Sequence, residues 1–68
     1  MVFNNEIKKQ EILKILLEKK DEWFTLNQIR NLVGIHIYKA EVLMSELLFK
    51  DKVEKDEKGN FKFWRIKK

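Results

Sequence analysis

The stretch Thr25-Leu26-Asn27-Gln28-Ile29-Arg30-Asn31-Leu32-Val33-Gly34-Ile35 decides the reading of this chain. Thr25 followed three residues later by Gln28 is the pattern of a capping box. The threonine hydroxyl accepts from the Gln28 amide, and the glutamine side chain reaches back to the amide of Thr25. Leu26, Ile29, Leu32 and Val33 then recur at helical spacing and define one apolar face. Gly34 supplies the left-handed residue that ends the helix, which leaves room for only a tight turn before the next element.

That next element is a helix over roughly 36–50, with Ala40, Leu43, Met44 and Leu47 on one side and Ile37 and Leu48 at its edge. Ala40 falls where this helix crosses the one before it, and a small side chain there lets two backbones approach closely. Upstream, Asn4 or Asn5 can cap a first helix over roughly 5–20. Ile7, Ile12, Ile15 and Leu16 form its buried face, while Lys8, Lys9, Glu11, Lys14 and Glu18 fall largely elsewhere. Trp23-Phe24-Thr25 is a short β-prone patch, able to pair with the edge of a hairpin. Downstream, the pattern over roughly 52–66 is that hairpin: Val53-Glu54-Lys55, a polar tip at 56–60 turning at Gly59, and Phe61-Lys62-Phe63-Trp64-Arg65-Ile66. Phe61 and Phe63 point to one face and Trp64 and Ile66 to the other, so both faces need cover, one of them from the first helix and Trp23. The terminal Lys67-Lys68 is expected to fray. The class is α+β, with three helices, a short strand and a C-terminal hairpin in one domain over 1–68.

At 68 residues the chain buries only about 60% of its unfolded surface, and it has no cysteine and a single histidine to staple it. Stability must come from packed apolar groups, Phe3 among them, and a homodimer is expected as a further source of burial. No apolar run approaches the length of a membrane span, and the first residues lack the pattern of a signal peptide, so a cytoplasmic protein is expected. The net charge of +4 is unevenly placed. Five lysines meet five acids over 1–22, two basic residues meet two acids over 23–49, and eight basic residues meet four acids over 50–68. A local basic excess is the electrostatic footprint of a phosphate-binding element.

Helix, short strand, helix, tight turn, helix, hairpin is the order of a winged helix-turn-helix domain, and the local sequence resembles that family. The segment 25–35 resembles helix two of prokaryotic winged-helix regulators. Ser45-Glu46-Leu47-Leu48 through Val53-Glu54-Lys55 resembles the end of their recognition helix and the entry to the wing. Phe61-Lys62-Phe63-Trp64-Arg65-Ile66 is similar to the returning wing strand of ArsR-like and MarR-like repressors. Asp51 and Lys52 stand where the family often has glycine and leucine. Aspartate tolerates the left-handed conformation, but the missing leucine removes a core contact.

The resemblance implies a double-stranded DNA partner and a regulator of transcription of prokaryotic, archaeal or viral type. The start of the third helix would enter the major groove, with Tyr38, Lys39, Val42 and Ser45 nearest the bases and His36 near the backbone. Lys55, Lys58, Asn60 and Lys62 of the wing would reach phosphate or the minor groove, and Asn27 and Gln28 would meet phosphate at the start of the second helix. Glu41 and Glu46 also point outward on this reading. Plain structural roles compete: a cap for His36 and Gln28, solvated lysines, and core positions for Trp23 and Trp64. Tyr38, Val42 and Phe49 form a second apolar stripe, which supports a rival reading as a protein-binding module. Nothing in the sequence assembles a nucleophile, a phosphate loop, a metal site or a paired carboxylate centre, so no enzyme, cofactor or small-molecule ligand is expected.

Overall fold

The computed structural model describes residues 5–67; Phe3, the alternative cap Asn4 and the expected fraying of Lys68 lie outside them. The elements run α1 (Asn5–Glu18), β1 (Phe24–Thr25), α2 (Leu26–Val33), α3 (Ile37–Phe49), β2 (Val53–Lys58) and β3 (Phe61–Ile66). The sheet order is β1-β3-β2, antiparallel throughout, with Phe24 opposite Trp64 and Val53 opposite Ile66. This is a winged helix. Helix α1 is shorter than the sequence suggests, because the chain turns at Lys19, whose amide donates to the Leu16 carbonyl.

Local signals act where they were read. The Thr25 hydroxyl accepts from the Gln28 amide at 3.2 Å, and the Gln28 side chain accepts from the Thr25 amide at 2.9 Å, so two of the orphan donors at this helix start are satisfied. Gly34 closes α2 at φ 67°, with the Ile35 amide donating to the Arg30 carbonyl. A Cβ on Gly34 would touch nothing within 4 Å, so the backbone conformation and not the space selects glycine. Asp51 carries the chain from α3 into the wing at φ 64°, as its short polar side chain allows, and its carboxylate accepts from the Lys67 amine.

The core lies between the three helices and the inner face of the sheet. Ile12, Leu16, Phe24, Ile29, Val33, Leu43, Met44, Leu47, Val53 and Trp64 form one buried cluster. Ala40 is wholly buried, on the same side of α3 as Leu43, Met44 and Leu47. Lys52 is exposed, and the neighbouring Val53 is buried.

Four expectations are corrected. Ile7 and Leu32 are exposed, since each sits at the edge of its apolar stripe in a domain too small to cover the whole arc. Lys9 is buried: its side chain is only 8% exposed, and its amine bridges Glu6 at 3.0 Å and Glu46 at 2.6 Å, tying α1 to α3. Those hydrogen bonds raise the Lys9 pKa above its ordinary value, Glu46 contributing most, and the bond from Lys9 holds the Glu6 carboxyl below its own. The hairpin is longer than the sequence suggests. Its strands pair out to Lys58 opposite Phe61, so the turn is the two residues Gly59-Asn60, with φ 62° at Gly59. A positive φ confined to the first central residue is the sign pattern of a type II′ turn, whose twist matches that of the strands.

Candidate nucleic-acid interface

Alternation along the strands assigns the wing side chains to two faces. Val53, Trp64 and Ile66 face the helices, and their row continues outward to Lys55, Glu57 and Lys62. Glu54, Asp56, Lys58, Phe61, Phe63 and Arg65 occupy the opposite face, beside Trp23 and Thr25 of the β1 edge. Burial falls from Val53 and Trp64 at the base to exposed residues over 57–62, so the wing projects from the core as a ribbon.

Of the basic residues in the last third, three are committed. The Lys55 amine pairs with Glu57 at 3.4 Å and sits 5.8 Å from the Trp64 ring centroid. Arg65 donates to Glu54 at 2.9 Å and lies 4.3 Å from the Trp23 ring centroid, while Lys67 pairs with Asp51 and its pKa is raised, chiefly by that hydrogen bond. Among the described residues, Lys50, Lys52, Lys58 and Lys62 are exposed and no carboxylate lies within ion-pair distance of them. Sequence reasoning singled out Lys58 and Lys62 but passed over Lys50 and Lys52; the charge count over 50–68 was the signal that contained them.

Helix α3 presents a narrow outer stripe of Tyr38, Val42, Ser45 and Phe49, all exposed; Tyr38 is 73%, Val42 51% and Phe49 92% accessible. Lys39 and Glu46, expected to point outward with that stripe's residues, turn instead toward α1. The Lys39 amine donates to Asn5 Oδ1 at 3.2 Å, and Glu46 holds Lys9. Their positions on the wheel, about 80° to one side of the stripe, place them over the neighbouring helix. Glu41 remains exposed on the other side.

His36 caps α3. Its Nδ1 accepts from the Tyr38 amide at 3.2 Å, and its ring stacks on Tyr38 with centroids 5.2 Å apart. An accepting Nδ1 puts the proton of the neutral ring on Nε2, leaving that nitrogen as a donor. At the start of α2, Asn27 and Gln28 are exposed, but both side-chain carbonyls are occupied: Asn27 accepts from Arg30 Nε at 2.9 Å, and Gln28 from Thr25. Their amide NH2 groups are the polar ends that remain for a partner. Asn60 stands in the exposed turn of the wing.

Trp64 belongs to the core as expected, whereas Trp23 is half-buried on the outer sheet face. Among the described residues, no group of three or more His, Cys, Asp or Glu is placed to hold a metal ion, and no helix is long and apolar enough to cross a membrane.

No family model matches the chain, and no curated protein matches it. Among solved structures, one from work on the DNA recognition and protein interaction domains of HOP2, concerned with homologous DNA pairing, superposes with a TM-score of 0.77 at 14% identity. The match covers 87% of this chain and 97% of that one. At that identity the likeness is one of fold. It bears out the winged helix and does not extend to the ArsR-like and MarR-like families in particular.

Proposed function

We propose that this chain binds duplex DNA, with the outer stripe of α3 in the major groove and the wing against the flanking backbone, and that it acts as a small regulator of transcription. The observation that carries the reading is the set of exposed lysines that form no ion pair among the described residues, Lys50 and Lys52 at the end of α3 and Lys58 and Lys62 on the wing. Ammonium groups not held in an ion pair are the groups that displace counterions from a phosphate backbone. The stripe of α3 supplies contacts suited to base edges: the Ser45 hydroxyl for either a donor or an acceptor, and Val42 for a thymine methyl. His36 Nε2, the NH2 groups of Asn27 and Gln28, and Asn60 would meet phosphate around that helix. Lys39 and Lys55 would join only by leaving Asn5 and Glu57. The subject of the HOP2 work, DNA recognition, agrees with this reading. Binding as a homodimer to a two-fold site is the expected form.

The test is titration of the chain onto random and genomic duplex DNA at two salt concentrations, read by anisotropy. Salt-sensitive binding with tighter genomic sites supports a regulator, and absence of binding at low salt rejects it. The exposure of Tyr38, Val42 and Phe49 favours a second reading, a protein-docking face on α3, which predicts association that salt barely weakens.

A further inference from the structure

The outer face of the sheet carries aromatic side chains that the duplex reading does not use, beside Lys58, which it does. Trp23, Phe63, Asp56 and Lys58 line an open notch of about 130 Å³. The Arg65 guanidinium, 4.3 Å from the Trp23 ring centroid and itself anchored by Glu54, holds the indole in place on that face. Phe61 stands on the same face, two residues from Phe63 and opposite Lys58, and is 67% exposed. Three aromatic side chains share this face of the sheet, Trp23 and Phe63 half-buried and Phe61 exposed, with a cation at each side, and apolar area of this kind is costly to leave in water.

We propose that this face is a stacking site for unpaired bases of single-stranded nucleic acid. The chemistry is complementary at each point. Aromatic rings on a sheet accept the flat faces of bases without regard to sequence. Lys58, which among the described residues has no acid within ion-pair distance, meets the phosphate that follows the stacked base. Asp56, half-buried in the notch, accepts from a base N–H. A duplex offers the phosphate but not the open base faces, because its bases are stacked on one another. Its aromatic rings lie on the side of the sheet away from the helices, so their occupancy is separable from that of α3, while Lys58 is shared with the duplex reading.

The experiment is titration of the full chain with short single-stranded oligothymidylate and with a duplex, at low salt, following tryptophan emission and the anisotropy of the labelled strand. Trp64 is buried, so quenching by the single strand reports Trp23. Phe61→Ala, at a site too exposed to disturb the core, is expected to weaken oligothymidylate binding by about 5- to 150-fold, the range for loss of one stacking ring, while duplex affinity is unchanged. Trp23→Leu is expected to abolish the quenching, and Trp23→Phe to retain affinity. The proposal is overturned if oligothymidylate does not bind, if both Phe61→Ala and Trp23→Leu bind it as tightly as the parent, or if either weakens duplex and single strand alike. It is overturned too if sedimentation shows that these substitutions dissolve a dimer without altering oligothymidylate affinity, for then the face is covered by a second copy of the chain. Loss of duplex binding alone would reject the reading of α3 and leave this site standing.

Discussion

Replacing Lys58 and Lys62 together by alanine puts the duplex reading at risk in a way that can be calculated. Both side chains are exposed and neither has an ion-pair partner among the described residues, so their removal should leave the fold untouched. If Lys50, Lys52, Lys58 and Lys62 each neutralise one phosphate, the logarithm of the binding constant falls with the logarithm of salt at a slope of about −3.6. Raising salt from about 50 to 200 mM would then weaken the parent by about 150-fold, and the double variant, with a slope of about −1.8, by only about 12-fold. Lys67→Ala is the internal control. Its amine is held by Asp51, so the slope should stay near the parent value. The assay is anisotropy of a labelled duplex over a salt series, with each variant's fold checked by circular dichroism. A double variant whose slope matches the parent's would refute the reasoning, since it would mean that the two wing lysines meet no phosphate. So would a Lys67→Ala slope that falls as far as the double variant's.

Three further predictions concern the scaffold. Thr25→Ala removes half of the capping box and should cost about 1 kcal/mol, seen as a fall in Tm of several degrees, with Thr25→Ser restoring most of it. Leu43→Ala opens a cavity at a wholly buried position and should cost about 2–5 kcal/mol in urea denaturation, whereas Phe49→Ala, at an exposed one, should stay within about 0.5 kcal/mol. Lys9→Met should be tolerated, because the two carboxylates it releases are solvent-accessible and the aliphatic stem is retained. Its signature is in the pH profile. The lowered Glu6 pKa contributes stability that is present above the ordinary carboxylate range and lost as pH falls through the folded value. The raised Lys9 pKa contributes stability present below the ordinary lysine range and lost as pH rises through the folded value. The parent should therefore exceed the variant by most at intermediate pH and converge on it at both extremes, and parallel profiles would show that the bridge contributes nothing.

Much of the scaffold was legible because its signals are local. The capping box at Thr25 and Gln28, the left-handed glycine at 34 and the spacing of Ala40, Leu43, Met44 and Leu47 each depend on residues within a turn or two. What escaped depends on partners distant in sequence. Lys9 reads as a surface residue until Glu46 is brought against it, 37 residues away. Lys39 reads as outward-facing until Asn5 lies under its amine. The five polar residues 56–60 read as a loop because nothing in their composition reveals that β3 pairs with them as far as Lys58. The candidate interface was legible as a charge excess but not residue by residue, since which lysines have acidic neighbours is settled only by cross-strand geometry. The split between the two tryptophans was likewise beyond the sequence. One residue's difference in register puts Trp64 inward, opposite Phe24, and Trp23 on the outer surface.

The strand order carries a consequence for how the molecule is made. The central strand, β3, is translated after both of its neighbours, and β1 and β2 share no hydrogen bonds of their own. A nascent chain that has not yet reached Phe61 can form helices but has no template on which either edge can settle. Closing the hairpin is then a local event across a two-residue turn, whereas joining Phe24 to Trp64 spans 40 positions of chain and bears most of the loop-closure entropy. The β1 clasp should accordingly be the last part to fasten and the first to open, so that amide exchange at Phe24 and Thr25 precedes that of the hairpin base.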